Sequence, residues 1–459
     1  MRLTLALALA APCLLAQQSF VRTNAKVIAL THVKVIDGTG AAPRPNQTIL
    51  IRGGRIETVG NADAVRVPSE AETLDLPNHT VIPGLVGMHE HLFYPSGRGV
   101  PIYTEHALSF PRLYLASGVT TARTGGGLEV QTDLMVKKWI DGGRYTGPNM
   151  LITAGYLEGP GSFTPQMLEL RNPDEARAFV KYWAAMGATS FKAYMHITRA
   201  ELGAAIETAH ARGLKVTGHL CSVGFREAAN LGIDNLEHGL VVDTEFIPGK
   251  KPDECPTVTA ASLEALDVAG AGVQEMIREL VSHNVAVTST LAVFEVAPPI
   301  QPRFADAVSP QTLADYKAAR ERMPDTTKAL SAVRIMKEQE FERAFVKAGG
   351  LLMAGADPTG NGSALAGFAD QRNIELLVDG GFSAVEAIRI ATLNGAKFLG
   401  MDEDIGSIAP GKQADLAVIE GDPATRIADV ENMRIVFRNG VGYDSAKLFE
   451  SVKGMVGLH

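Results

Sequence analysis

Between residues 81 and 401 the sequence alternates short apolar runs with longer stretches that carry helix start and stop signals. The apolar runs end near His91, Arg123, Ala154, Tyr194, Leu220, Gly239, Leu291 and Asp357. In Asn172-Pro173-Asp174-Glu175 a capping side chain is followed by proline and acids, as a helix start requires, and Gly187 closes that stretch. Thr198-Arg199-Ala200-Glu201 is a capping box closed by Gly213, and Ser383-Ala384-Val385-Glu386 opens another helix that ends near Gly400. Residues 311–349 read as a barrel helix plus an insertion. Eight strands alternating with helices predict an α/β fold, a (β/α)8 TIM-like barrel, whose reactive face lies at the C-terminal ends of the strands.

The two ends of the chain are patterned differently. Residues 25–80 contain strand-like runs such as Thr48-Ile49-Leu50-Ile51-Arg52 and Arg55-Ile56-Glu57-Thr58-Val59, joined by Gly53-Gly54. Residues 402–459 contain Asp415 to Ile419, then Met433 to Arg438 and Val441 to Tyr443 across Asn439-Gly440. Gly-Gly and Asn-Gly supply the positive φ angles of tight hairpins. A small β-sandwich domain assembled from both chain ends is the expected arrangement.

The first residues form a separate signal. Arg2 precedes an apolar run from Leu3 to Ala16, too short for the roughly 20 residues a membrane span needs. Residues 1–16 therefore read as a signal peptide, and a periplasmic or secreted location is expected, with no stable membrane span once it is removed. Two cysteines then remain, Cys221 and Cys255, and the sequence leaves open whether they pair. The net charge of −8, from 43 basic and 51 acidic side chains without a dense basic run, points away from a nucleic-acid partner. It suits a small-molecule substrate and leaves a homo-oligomer open.

The chemistry-bearing residues gather at the strand ends. His89 and His91 lie two apart on the first run, so both imidazoles share a face, as ligands of a divalent ion would. Lys192 ends the fourth run, where a buried ammonium is costly unless its charge is used or removed. His219 ends the fifth run, His238 the sixth and Asp357 the eighth. Each alone is an ordinary capping or packing residue; six at one barrel face make a metal site. Tyr194 and His196, just after Lys192, are candidate substrate contacts, with packing as the alternative.

These motifs resemble the amidohydrolase superfamily, and within it imidazolonepropionase-like proteins and Xaa-Pro-type metallodipeptidases. The resemblance rests on Ile82 to His91, Gly118-Val119-Thr120-Thr121, Lys192, His219, Glu237-His238-Gly239 and Gly355-Ala356-Asp357. It continues through Ala391 to Ala396 and Gly406 to Leu416. It implies a binuclear centre with two divalent metal ions, zinc by default, and CO2 held as a carbamate on Lys192. His89, His91 and Asp357 would hold one ion, and His219 and His238 the other. A metal-bridging hydroxide would attack an amide or dipeptide-like bond, with Asp357 as the catalytic proton acceptor. An esterase, lactonase or phosphotriesterase is the alternative on the same site. A mononuclear deaminase and a non-catalytic binding protein are further rivals. The pattern departs from dipeptidase-like members at Leu220-Cys221 and at the glycine run after Arg123-Thr124. Glu90 has no role in this reading.

Overall fold

The computed structural model describes residues 20–96, 102–359 and 362–457, and the expected signal peptide lies outside them. The middle of the chain is the eight-stranded barrel. Its strands are Leu85–Glu90, Val119–Thr124, a third in two pieces, Ser190–Ala193, Lys215–Gly218, Asn235–Glu237, Ala286–Ser289 and Leu352–Ala354. Every residue of the first two strands is buried, as expected when helices cover the outside and side chains fill the inside. The third strand breaks at Ile152. Asn149–Leu151 pairs with the second strand and Thr153–Leu157 with the fourth, both parallel.

The remaining neighbours pair in parallel up to the eighth strand. The ring is joined where Asp357 N–H donates to the His89 carbonyl at 2.8 Å. Gly355 permits this approach, since a Cβ there would lie 2.4 Å from His89 N. The seam between the last and first strands is thus made at two of the predicted ligand positions.

The helices follow their capping signals. Asn172 caps Pro173–Met186, and Gly187 ends it in the left-handed region. Thr198 and Glu201 form the reciprocal capping box of Arg199–His210. The 311–349 stretch is two helices, Pro310–Glu321 and Asp325–Lys347, because Pro324 cannot continue the first. The helix opened by Ser383 passes through a π-helical turn at Ile390–Asn394 before Gly400 stops it.

The chain ends build the β domain as one nine-stranded mixed sheet. His79–Pro83 and Leu416–Glu420 pair antiparallel at its centre and join the two halves. Strands far apart in the sheet order share one buried cluster, in which Ile49, Ile51 and Ile56 meet Ile435 and Phe437. The two hairpin tips also meet: Ala414 N–H donates to the Gly54 carbonyl at 2.9 Å, and Gly440 N–H to the Ala414 carbonyl at 3.1 Å. A Cβ on Gly440 would lie 2.2 Å from Gly54 Cα, so glycine is required there by contact as well as by its φ of +80°. A disulfide joins Cys221 to Cys255, tying the turn after the fifth barrel strand to the loop beyond the sixth.

Candidate active site

The six predicted donors all line one cavity of about 390 Å³ at the C-terminal mouth of the barrel. His89 and His91, spaced two apart at the end of an extended strand, turn to the same side. Ligand atoms of His89, His91 and Asp357 lie within 4.8 Å of one another. Asp357 Oδ1 is 3.3 Å from His91 Nε2 and 3.7 Å from His89 Nε2. Lys192 Nζ approaches His89 Nε2 to 3.4 Å. The His219 and His238 rings, centred 4.5 Å apart, form the other side of the group, and His238 is 4.7 Å from His89. His238 and Asp357 hold left-handed backbone angles, with φ of 69° and 45°. Each such conformation costs about 1–3 kcal/mol in a residue with a side chain, and it aims both donors inward at the strand ends.

Hydrogen bonds behind the His89 and His91 rings fix which nitrogen faces the cavity. His89 Nδ1 lies 2.8 Å from Glu237 Oε2, His91 Nδ1 2.9 Å from the Gly126 carbonyl, and His238 Nδ1 2.6 Å from Thr290 Oγ1. With a proton on Nδ1 of His89 and His91, the Nε2 lone pairs are free to bind a cation. Glu237 is itself held by Arg123 Nη2 at 2.7 Å and by the Thr217 hydroxyl. Arg123 also donates to Asn235 Oδ1 and to the Met88 carbonyl, both at 2.8 Å.

Electrostatics leave this group in the ligand-ready state. Burial, then the Lys192 charge, pushes His89 down to about 4 and His219 down to about 3. Burial also pushes the Lys192 ammonium down to about 8. Burial alone would raise Asp357 and Glu237, but the surrounding donors and cations hold both well below the usual carboxylate range. Neutral imidazoles beside an ionised carboxylate are the donor set a divalent transition ion takes. The residues present therefore fit a metal centre.

The structure supplies the reasons for two oddities of the sequence. Glu90 turns away from the cavity and accepts from Ala356 N–H at 3.2 Å. Burial and the neighbouring Asp370 carboxyl raise it well above the usual carboxylate range. The glycine run after Thr124 makes room for the donors. A Cβ on Gly125 would lie 2.3 Å from His89 Cδ2, while Gly126 supplies the carbonyl that orients His91.

Tyr194 lines the cavity, its ring 4.9 Å from His219. His196 is not among the lining residues. Its N–H donates to Glu158 Oε1 at 2.6 Å and its ring lies 3.4 Å from Glu158 Oε2. The loop after the third strand brings Phe163 and Met167 to the wall. The sequence reading missed Arg123, Asn235 and Glu237 as supports, Thr290 behind His238, and Arg334 in the cavity wall. Arg123, the one charge in the fully buried strand Val119–Thr124, was itself a signal that an acid must face it. Asn235 and Glu237, two apart, supply that face. No local pattern marks Arg334.

The profile described as the amidohydrolase family matches residues 80–441. This chain belongs to the amidohydrolase family. A Xaa-Pro dipeptidase with methionine bound in its active site superimposes with a TM-score of 0.69 and 21% identity, covering 91% of this chain and 100% of that one. A prolidase complexed with N-methylphosphonate-L-proline gives 0.68 and 19%, covering 91% of this chain and 99% of the other. At these identities the likeness is one of fold. In sequence, the imidazolonepropionase of Picrophilus torridus is 42% identical over 62 residues, which is 13% of this chain and 16% of that enzyme. The chain thus aligns with only about a sixth of that curated relative.

Proposed function

We propose that this amidohydrolase-family chain hydrolyses an amide or dipeptide-like bond of a small molecule at a two-metal centre. The observation that carries the reading is the convergence of four histidines, one lysine and one aspartate on a single cavity at the barrel mouth. His89, His91 and Asp357 would hold one divalent ion, His219 and His238 a second, with zinc suited to these donors. The ions would supply Lewis acidity, lowering the pKa of water and polarising a carbonyl.

The chain's own groups do the rest. Burial lowers the Lys192 ammonium to about 8, which favours the free amine. Addition of CO2 to that amine, with loss of a proton, would replace a buried cation by an anionic carbamate whose oxygens would serve as metal ligands. Asp357 would accept a proton from the attacking water and pass it to the leaving nitrogen. Phe93, Tyr103, Phe163 and Phe294 wall the cavity with apolar surface and limit water around the scissile bond.

A panel of N-acyl amino acids, Xaa-Pro dipeptides, aryl esters and phosphotriesters, run with metal analysis, tests the reading. Amide cleavage abolished by chelation, with two ions per chain, is the expected result. Amide cleavage indifferent to chelation, or turnover of the esters alone, would overturn it. We further infer that the mature chain works outside the cytoplasm, supported by the leader pattern and by the Cys221–Cys255 disulfide. Among the described residues no helix is long and apolar enough to cross a membrane. N-terminal sequencing of exported protein should begin near Gln17, and an intact Met1 there would refute export by cleavage.

A further inference from the structure

Arg334 lines the same cavity as the six donors, yet it belongs to none of the networks described above. It rises from Asp325–Lys347, two helical turns beyond Thr327, which lines the cavity as well. Its guanidinium carbon lies 5.7 Å from the centre of the Phe294 ring, so the aromatic face holds the side chain in place. Its Nε is buried with no hydrogen-bond partner, and no carboxylate pairs with it among the described residues. Burial lowers its pKa with no acidic neighbour to offset the shift, while its charge reaches His219. Arg123 shows what a satisfied buried arginine looks like in this fold, with Glu237, Asn235 and Met88 on its donors.

A half-buried, unpaired guanidinium whose Nε is shut off from solvent is costly unless an anion comes to it. Asp357 and Lys192 are committed to the donor group, and the remaining wall is largely aromatic and aliphatic. Arg334 is therefore the one uncommitted charge among the described lining residues. A guanidinium offers a planar fork that matches a carboxylate with two parallel hydrogen bonds.

We propose that Arg334 is the receptor for a carboxylate on the substrate, so that this chain selects amides bearing a free acid, such as N-acyl amino acids and dipeptides, over their neutral counterparts. The assignment rests on the amide-hydrolase reading and narrows it to an anionic substrate class. The cavity of about 390 Å³ is of a size for such molecules.

The test compares each N-acetyl-L-amino acid with its primary amide on the zinc-loaded protein, in the native chain and in Arg334→Met and Arg334→Lys. The native enzyme should prefer the acid by about 10- to 100-fold in kcat/KM, the worth of a charged hydrogen-bonded pair. Arg334→Met should remove most of that preference, and Arg334→Lys should keep part of it. Calorimetric binding of the same acid and amide gives a second readout in all three proteins. Equal use of acid and amide by the native enzyme, or an unchanged ratio in Arg334→Met, would overturn the assignment while the hydrolase reading stands. A purely structural arginine would lower both substrates alike and leave the ratio where it was. If no amide is cleaved, the hydrolase reading fails, and the binding ratio alone decides the role of Arg334.

Discussion

Replacing Glu237 with glutamine tests whether the supports behind the donors do the work assigned to them. The side chain keeps its shape and loses its charge. Glu237 Oε1 accepts from both Arg123 and Thr217, so the glutamine carbonyl must take that side. Its amide N–H2 then faces His89 Nδ1, where the carboxylate oxygen had been at 2.8 Å. Two donors cannot share that contact, and His89 must move its proton to Nε2. That nitrogen is the one near Asp357 Oδ1 and Lys192 Nζ, and a protonated nitrogen has no lone pair for a metal.

Loss of such an outer partner costs about 10- to 100-fold in metal affinity, or about 1.4–2.7 kcal/mol. The buried Arg123 cation also loses its counter-charge, which adds about 3–5 kcal/mol of destabilisation to the fold. Zinc titration against a competing chelator measures the first effect, and denaturant unfolding of the metal-free protein the second. Imidazole nitrogen NMR reads the tautomer directly. Native zinc affinity in Glu237→Gln, with His89 still protonated on Nδ1, would refute the reasoning.

Three other outcomes are expected. Lys192→Ala should abolish amide turnover and metal loading, with partial rescue by short carboxylic acids; full activity without rescue would exclude the carbamate. Gly125→Ala should press a methyl group against the His89 ring and lower kcat/KM by about 100-fold, while far-ultraviolet circular dichroism stays native. Asp415, raised to about 6 by burial, favours its protonated form in the fold. Its contribution to stability is therefore full below about pH 4 and is lost as the pH rises through 6, at a cost of about 3 kcal/mol at neutral pH. Asp415→Asn should be more stable than the native chain above pH 6, with the gap closing towards pH 4 in thermal melts; a gap that ignores pH would reject this.

The barrel was legible because strand ends and helix caps are local signals. His89 and His91 declare a shared face by spacing alone, and Asn172, Thr198 and Ser383 mark helix starts within four residues. The break at Ile152 was hidden because it arises from pairing with two different neighbours. The split at Pro324 was open to view, since proline stops a helix wherever it falls. The roles of Glu237 and Arg123 needed the register of strands more than a hundred residues apart. The inward-turned backbones of His238 and Asp357 are imposed by the assembled ring and leave no mark on composition. Arg334 depends on how an inserted helix lies over the barrel mouth, which nothing near position 334 encodes.

The pairing of His79–Pro83 with Leu416–Glu420 bears on how the protein is made. A ribosome delivers the early strands long before the partners that cover them, and the Lys34–Asp422 contact spans 388 residues of chain. Until the last segment emerges, Ile28, Leu30 and Val81 lack the late strands that complete their shared cluster. A nascent chain in that condition is exposed to aggregation. Ribosome-stalled chains ending before Leu416 should therefore engage holding chaperones, and release of the full-length product should free them.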